Sequence, residues 1–343
     1  MESAVAAALV GKVRLPVTSF GARYQAQATS PAAGAFPRPA FAAAAAAAFA
    51  RRARGRARSR GDGGAAESRC YEVVPISGKG AGAVALRDLC PGELVAEEAP
   101  ALQWSGAEDE EELQLAAADL SEEQRRRLLD LEDTFAESEA DKTLLGIAST
   151  NAFQAGEQEG YEERDSRVLY LELSRFNHSC RPNCEGSWDS REGRLQIYAC
   201  RDIPAGEELC IYYVDVRMPT AERQERMRSF GFQCSCTACQ AADPISDQRR
   251  ARMQLLLAHD SEEDEEALRG VEELLALYDA EALHVANFRK VAAYQAYTLS
   301  MSLGRMADAE NWAQRAYQYS LQCHGPFHAT TKILRHHASR KRA

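Results

Sequence analysis

The chain has 343 residues, room for about two domains of ordinary size, and its 45% hydrophobic and 27% charged content is a globular balance. No apolar run approaches the roughly 20 residues that a membrane-spanning helix requires, so the sequence reads as that of a soluble protein. The net charge of −10 is uneven: residues 1 to 69 carry eleven Lys/Arg and three Asp/Glu, net +8, which leaves −18 on the remaining 274 residues. A basic arm therefore precedes an acidic body, whose charge serves plain solubility or draws in a basic substrate.

Residues 1–68 are mostly Ala, Arg, Gly, Ser and Pro and end in the block RRARGRARSRGDGG. Such a segment buries too little apolar surface to offset the entropy of ordering it, and disorder is expected. Its Arg-rich, acid-poor composition suits an organellar transit peptide, a nuclear localisation signal, a nucleic-acid-binding arm or an inert tail, which leaves plastid or mitochondrion and nucleus or cytoplasm all open. From Cys70 the pattern changes to short β-type runs, YEVV, GAVAL and LVAEE, separated by Gly and Pro turns. Residues 107–140 switch to a helical period, with Ser121 as an N-cap and Leu128, Leu129 and Leu131 on one side.

The β pattern returns between about 150 and 215, in RLQIYACRDI and in GEELCIYYVDV, which places Tyr212 and Tyr213 in a strand. Beyond residue 240 the chain reads as helix. Two runs break near Gly304, with Ala309 and Ala316 spaced for close helix approach, in the manner of one tetratricopeptide-type helix pair. In SGKGAGAVAL, Gly80 and Gly82 flank Ala81; a lone G-x-G is more often a turn than a ligand loop, and no dinucleotide fingerprint opens a helix here.

The ten cysteines are too sparse for a disulfide framework in a chain of this length, and no secretory signal precedes them, so a reducing compartment fits. FQCSCTACQ packs Cys234, Cys236 and Cys239 in a C-x-C-x-x-C spacing that lets three thiolates face one centre. A structural zinc needs a fourth ligand, and in RFNHSCRPNC the candidates are Cys180, Cys184 and His178. His178 and Cys180, two apart, make a poor nucleophile–base pair, and no Ser/His/Asp order stands out.

Taken in order, GKGAGAVAL…PGELV, STNAF, LSRFNHSCRPNC, RDIPAGEELCIYY and FGFQCSCTACQ resemble the SET-domain protein lysine methyltransferases over about residues 71–240, in particular the split SET domains of the SET-and-MYND family and its relatives. One departure is plain: residues 101–149 contain no cysteine, so the MYND zinc finger of that family is replaced by an acidic helical insert.

The resemblance implies an α+β fold of short curled sheets with a knot-like C-terminal segment. It divides the chain into the arm (1–68), a SET domain (69–217) with its insert at about 101–149, a zinc-binding post-SET segment (218–242) and a tetratricopeptide-like all-α region (243–343). It also implies site roles. Lys79, Gly80, Ala81 and Gly82 would wrap the amino-acid end of S-adenosylmethionine; Asn151, Asn177, His178 and Phe232 would contact the rest of it. Phe153 would line the lysine channel, Tyr213 would stand between methyl donor and lysine, and Cys180 with Cys234, Cys236 and Cys239 would hold zinc. The implied partner is a protein with an accessible lysine, a histone among the candidates, and the implied enzyme acts as a monomer; nucleic acid enters only through the arm. The rival expectation is a catalytically inactive SET-fold scaffold.

Overall fold

The computed structural model describes residues 69–105, 110–154, 166–259 and 261–339. The arm over 1–68, with its expected disorder, lies outside them. Strands β1 (Tyr71–Ile76) and β2 (Gly80–Ala85) form a hairpin, paired from Tyr71↔Ala85 to Ile76↔Gly80, and the turn between them uses Gly78 at φ 73°. Strands β3 (Leu94–Glu98) and β4 (Leu102–Ser105) lead into helices α1 (Glu110–Ala118), α2 (Glu122–Leu129) and α3 (Leu144–Asn151). There follow β5 (Phe153–Gln154), β6 (Ser166–Leu169), β7 (Asn177–His178), β8 (Cys184–Asp189), β9 (Arg194–Ala199) and β10 (Glu208–Ile211). These strands make three small sheets, ordered β1-β2-β10-β7, β3-β9-β8 and β4-β6-β5.

The helical insert is real but interrupted. Ser121 caps α2 as expected: its Oγ accepts the Gln124 N–H while the Gln124 side chain accepts the Ser121 N–H, a reciprocal capping box. The helical period expected over 107–140 stops at Leu129, however. Asp133 takes the backbone N–H groups of Phe135 (2.9 Å) and Thr143 (3.0 Å), so a buried carboxylate satisfies donors that a continuing helix would have used. Leu128 and Leu131 are buried, but Leu129 is 59% exposed and leaves the apolar face it was assigned. Leu102, Trp104, Leu113, Leu128, Leu131 and Ile147 form a core that belongs to the insert and the β4-β6-β5 sheet.

After β10 the chain enters α4 (Thr220–Met227) and the one-turn α5 (Thr237–Gln240). It then runs through α6 (Pro244–Ala258), α7 (Asp264–Ala280), α8 (Ala286–Ser302), α9 (Met306–His324) and α10 (Ala329–Ser339). Successive helices α7 to α10 pack side by side, a repetitive helix-on-helix arrangement. The break near Gly304 is a turn at φ 68°, and Ala309 and Ala316 are fully buried where α8 and α9 approach. The helical region is not a loose appendage: Val285, Phe288 and Ala292 share one core with Ile197, Tyr212 and Val216. Buried Glu185 on β8 accepts the N–H groups of Ala286 (2.7 Å) and Asn287 (3.0 Å), placing a carboxylate on the N-terminus of α8.

Candidate functional site

Strand β10 gathers residues from three distant segments. It pairs antiparallel with β2 (Glu208↔Val84, Leu209↔Ala83) and parallel with β7 (Cys210↔Asn177, Ile211↔His178), so the glycine strand and the Asn-His pair flank it on opposite edges. Their side chains meet across it. The Asn177 amide donates to the Ala81 carbonyl (3.2 Å) and to Glu208 Oε1 (2.9 Å), and Lys79 Nζ lies 2.6 Å from Glu208 Oε2. Burial pulls the Lys79 ammonium down, but the hydrogen bond to Glu208 and the attraction of nearby negative charges together hold Lys79 above its ordinary value. A Cβ on Gly82 would come within 2.6 Å of Asn177 Nδ2 and 2.7 Å of Ile76, whereas one on Gly80 would meet nothing within 4 Å. The strand is thus packed tight at Gly82 and faces open space at Gly80, with an ammonium beside it: a cradle that suits a small ligand carrying a carboxylate.

Tyr212 and Tyr213 were expected in a strand; they stand just beyond β10, where ladder pairing has ended. The Tyr213 N–H turns instead to His178 Nδ1 at 3.0 Å, and its hydroxyl donates to the Phe176 carbonyl at 2.7 Å. The ring is buried among His178 (centroids 5.4 Å), Phe230 (5.5 Å) and Phe232 (6.4 Å, edge-on). Phe232 itself is 38% exposed, so this aromatic group runs from the core to the surface.

The sulfur atoms of Cys180, Cys234, Cys236 and Cys239 all lie within 4.8 Å of one another, with Cys180 at 4.0 Å from Cys234 and 3.6 Å from Cys239. A tetrahedron of zinc–sulfur bonds of about 2.3 Å has edges of about 3.8 Å, so the donor set fits a four-coordinate zinc in spacing and softness. The one-turn α5 folds Cys239 back over Cys236, and Cys180 closes the group from the turn after β7. Hydrogen bonds within the cluster divide the protons unequally: those from Cys180 and Cys234 pull the Cys239 thiol down to about 7 and those from its three neighbours lower Cys236, while Cys180 and Cys234 are held above their ordinary value. Two other candidates for the fourth ligand are settled by the geometry. Cys184 is fully buried on β8 outside the cluster, and burial pushes its thiol well up. His178 places Nε2 at 3.3 Å from Cys180 Sγ, beside a ligand atom rather than in the ligand set.

Asn151 and Phe153 lie on other elements, at the end of α3 and in β5. Asn151 ends α3 next to Ser174, whose Oγ donates to its carbonyl at 3.3 Å; both its amide hydrogens go to backbone oxygens, of Glu132 (2.6 Å) and Ile147 (2.8 Å). Phe153 packs edge-on against Tyr170 at 5.2 Å, and Phe176 likewise against Tyr71 at 5.3 Å. Sequence reasoning missed Glu208, Arg223, Tyr170 and Phe230. The GEEL run held the signal for Glu208, since a charged residue facing Lys79 and Asn177 needs only the β10 pairing, but nothing local marks the other three.

The three short sheets, the Asn-His turn on a parallel partner of β10 and the four-cysteine cluster together make a mixed α/β, SET-like fold. Residues 80–214 match the SET domain family model. The chain is similar to SET and SMYD methyltransferases: it is 30% identical over 192 residues to Histone-lysine N-methyltransferase set5 of Schizosaccharomyces pombe, covering 54% of this chain and 57% of that protein. It is 38% identical over 109 residues to human Histone-lysine N-methyltransferase SMYD3, covering 32% and 24% of the two chains. Over 82 residues it is 42% identical to chicken Protein-lysine N-trimethyltransferase SMYD5, covering 22% and 20%. The chain thus spans between a fifth and somewhat over half of these relatives' lengths. No described helix is long and apolar enough to cross a membrane.

Proposed function

We propose that this protein is an S-adenosylmethionine-dependent protein-lysine N-methyltransferase with a structural zinc. The observation that carries the reading is the convergence on β10: the Gly80–Gly82 strand, Asn177 with His178, and Tyr213 are brought to one place by its two edges and its C-terminal exit.

When bound, S-adenosylmethionine supplies an electrophilic methyl group on a sulfonium. The ammonium of Lys79 and the backbone of Gly80, Ala81 and Gly82 would hold its carboxylate end. Asn177, its amide hydrogens committed to Ala81 and Glu208, retains its carbonyl oxygen and its place beside β2 for the nucleoside side, with Phe232 as an aromatic cover. Asn151 would serve through its position and oxygen, because both its amide hydrogens are spent within the fold. Cys180, Cys234, Cys236 and Cys239 would hold the zinc that fixes the segment from Phe232 onward to the turn after β7.

The substrate amine, with an ordinary pKa of about 10.4, must shed a proton before it can attack. Burial of the amine beside the rings of Tyr213 and Phe230, with Phe153 as the channel wall the resemblance implies, would favour the neutral amine and exclude water. Tyr213, fixed at both its N–H and its hydroxyl, would align amine and methyl, so the catalytic contribution is mainly orientation. The proton would leave through water. The −18 charge of residues 70–343 suits a basic segment around the target lysine; a histone tail is one such segment.

The test is incubation of the full chain with labelled S-adenosylmethionine and fractionated cell extract, followed by mass spectrometry of the labelled band, alongside calorimetric titration of the cofactor. Binding with transfer to lysine supports the reading; absence of cofactor binding would leave a zinc-stabilised scaffold.

A further inference from the structure

Five arginines are buried among the described residues, Arg167, Arg217, Arg223, Arg250 and Arg289, and Arg217, Arg250 and Arg289 face carboxylates. Arg217 pairs with Asp215 at 2.8 Å, Arg250 with Glu281 at 3.2 Å and Arg289 with Asp279 at 2.6 Å. Arg223, on the first turn of α4 and 0% exposed, has no carboxylate within 4.0 Å among the described residues. Its Nε donates to Cys180 Sγ at 3.2 Å and an Nη lies 3.9 Å from Cys239 Sγ; the remaining donors go to Thr220 Oγ1 (2.9 Å) and the Met218 carbonyl.

An isolated guanidinium cannot be buried without a counter-charge, and a hydroxyl and a carbonyl supply none. The sulfur cluster is what remains. Four thiolates around a divalent cation carry a net charge of −2, and one guanidinium against two of the sulfurs offsets half of it. Cys180 is the focus, since it receives Arg223 Nε on one side and His178 Nε2 on the other.

We infer that Arg223 is the counter-charge of the tetrathiolate centre, a positioning residue through which metal occupancy and the docking of α4 depend on each other. The inference rests on reading the four cysteines as a zinc centre and adds what that reading does not contain. Outer partners that donate to a metal ligand stabilise its charged form and are worth about 10- to 100-fold in metal affinity. Conversely, a chain stripped of metal loses the fixed set of sulfurs against which the buried Arg223 is held. The first segment to loosen is then α4, together with the Met218 carbonyl that Arg223 holds.

The full chain is compared with its Arg223→Met and Arg223→Lys variants. Zinc affinity is measured by competition with a chromophoric chelator, and the sulfur-to-metal charge-transfer bands are recorded after cobalt substitution. Arg223→Met is expected to bind zinc about 10- to 100-fold more weakly. Arg223→Lys should recover at least half of that loss on a logarithmic scale, and both variants should keep the four-thiolate cobalt spectrum. Affinity unchanged within about twofold in a folded Arg223→Met overturns the inference. Should Arg223→Met fail to fold, amide exchange of the parent during stepwise zinc removal decides: protection over residues 220–227 falls before that over 264–280 if the inference holds. Retained protection in α4, or equal loss in both helices, overturns it. A parent chain that holds no zinc by elemental analysis defeats the metal reading itself, an outcome distinct from a zinc-bound parent indifferent to Arg223.

Discussion

The ring of His178 joins the backbone of Tyr213 to the sulfur of Cys180: Nδ1 accepts the Tyr213 N–H at 3.0 Å and Nε2 lies 3.3 Å from Sγ. An accepting Nδ1 carries no proton, so Nε2 holds the ring hydrogen and donates it to sulfur. One imidazole thus sets the position of the tyrosine from the side of the cysteine cluster. His178→Ala leaves the buried Tyr213 N–H without its acceptor, and a loss of about 1–3 kcal/mol in unfolding free energy is expected from urea denaturation. Methyl transfer should fall with it, and an unchanged denaturation midpoint would show that this contact carries no stability.

Tyr213→Phe removes the hydroxyl bonded to the Phe176 carbonyl while keeping the ring against His178, Phe230 and Phe232. If the tyrosine acts by orienting the reactants, turnover falls by about 10²-fold. Cofactor affinity measured by calorimetry should stay within about twofold, because the lost interaction matters in the transition state. Full turnover in this variant would take Tyr213 out of the mechanism.

Zinc and cofactor binding are expected to fail together. Cys236→Ser, or a strong chelator, breaks the cluster that fixes Phe232 beside Tyr213, so S-adenosylmethionine binding should be lost along with about one zinc per chain. Cys323→Ser, buried on α9 away from the cluster, should retain both. Calorimetry with elemental analysis makes the comparison, and undiminished cofactor affinity in Cys236→Ser would separate the two sites.

Gly82→Ala tests the cradle. The added Cβ would press on Asn177 Nδ2 at 2.6 Å and Ile76 at 2.7 Å, with Glu208 Oε1 at 3.2 Å, so the strand must shift. Overpacking of this kind costs about 1–3 kcal/mol, readable as a lowered midpoint in thermal unfolding, and cofactor affinity should drop with it. Unchanged cofactor affinity in Gly82→Ala would place the ligand elsewhere.

The junction between β8 and the C-terminal helices should weaken in mild acid. His324 Nδ1 lies 2.5 Å from Ser187 Oγ, its Nε2 lies 2.7 Å from Lys290 Nζ, and its ring stacks on His328 at 4.4 Å. Burial, with Lys290 and His328 adding to it, holds His324 well below its ordinary value, and burial lowers His328 as well. A histidine that is neutral in the fold and titrates near 6.5 when unfolded contributes its full stability above that pH. As pH falls below 6.5 the unfolded chain takes up the proton first, and each such histidine removes at most about 1.4 kcal/mol per pH unit. Thermal unfolding at pH 7.5, 6.5 and 5.5 should show this slope, and His324→Gln should flatten it; an equal slope in the variant would assign the acid sensitivity to other groups.

The sequence by itself determined what depends on near neighbours. The β hairpin at Gly78, the Ser121 cap, the α8–α9 turn at Gly304 and the three clustered cysteines of FQCSCTACQ are each set by residues a few positions apart, through turn geometry, capping and helical period. Where local rules failed, a distant partner had intervened: Asp133 captures donors ten residues ahead and ends the expected helix, and the Tyr213 N–H leaves the ladder for a histidine 35 residues behind. Which residue completes the sulfur cluster was decided only in three dimensions, because Cys180, Cys184 and His178 are near neighbours in sequence and only Cys180, in the turn between β7 and β8, brings its sulfur to the other three. The same holds for Arg223, whose lack of a carboxylate becomes visible only once α4 is packed against the sulfurs. Pairing across sheets and burial of charge join residues through space, and no period or spacing along the chain encodes them.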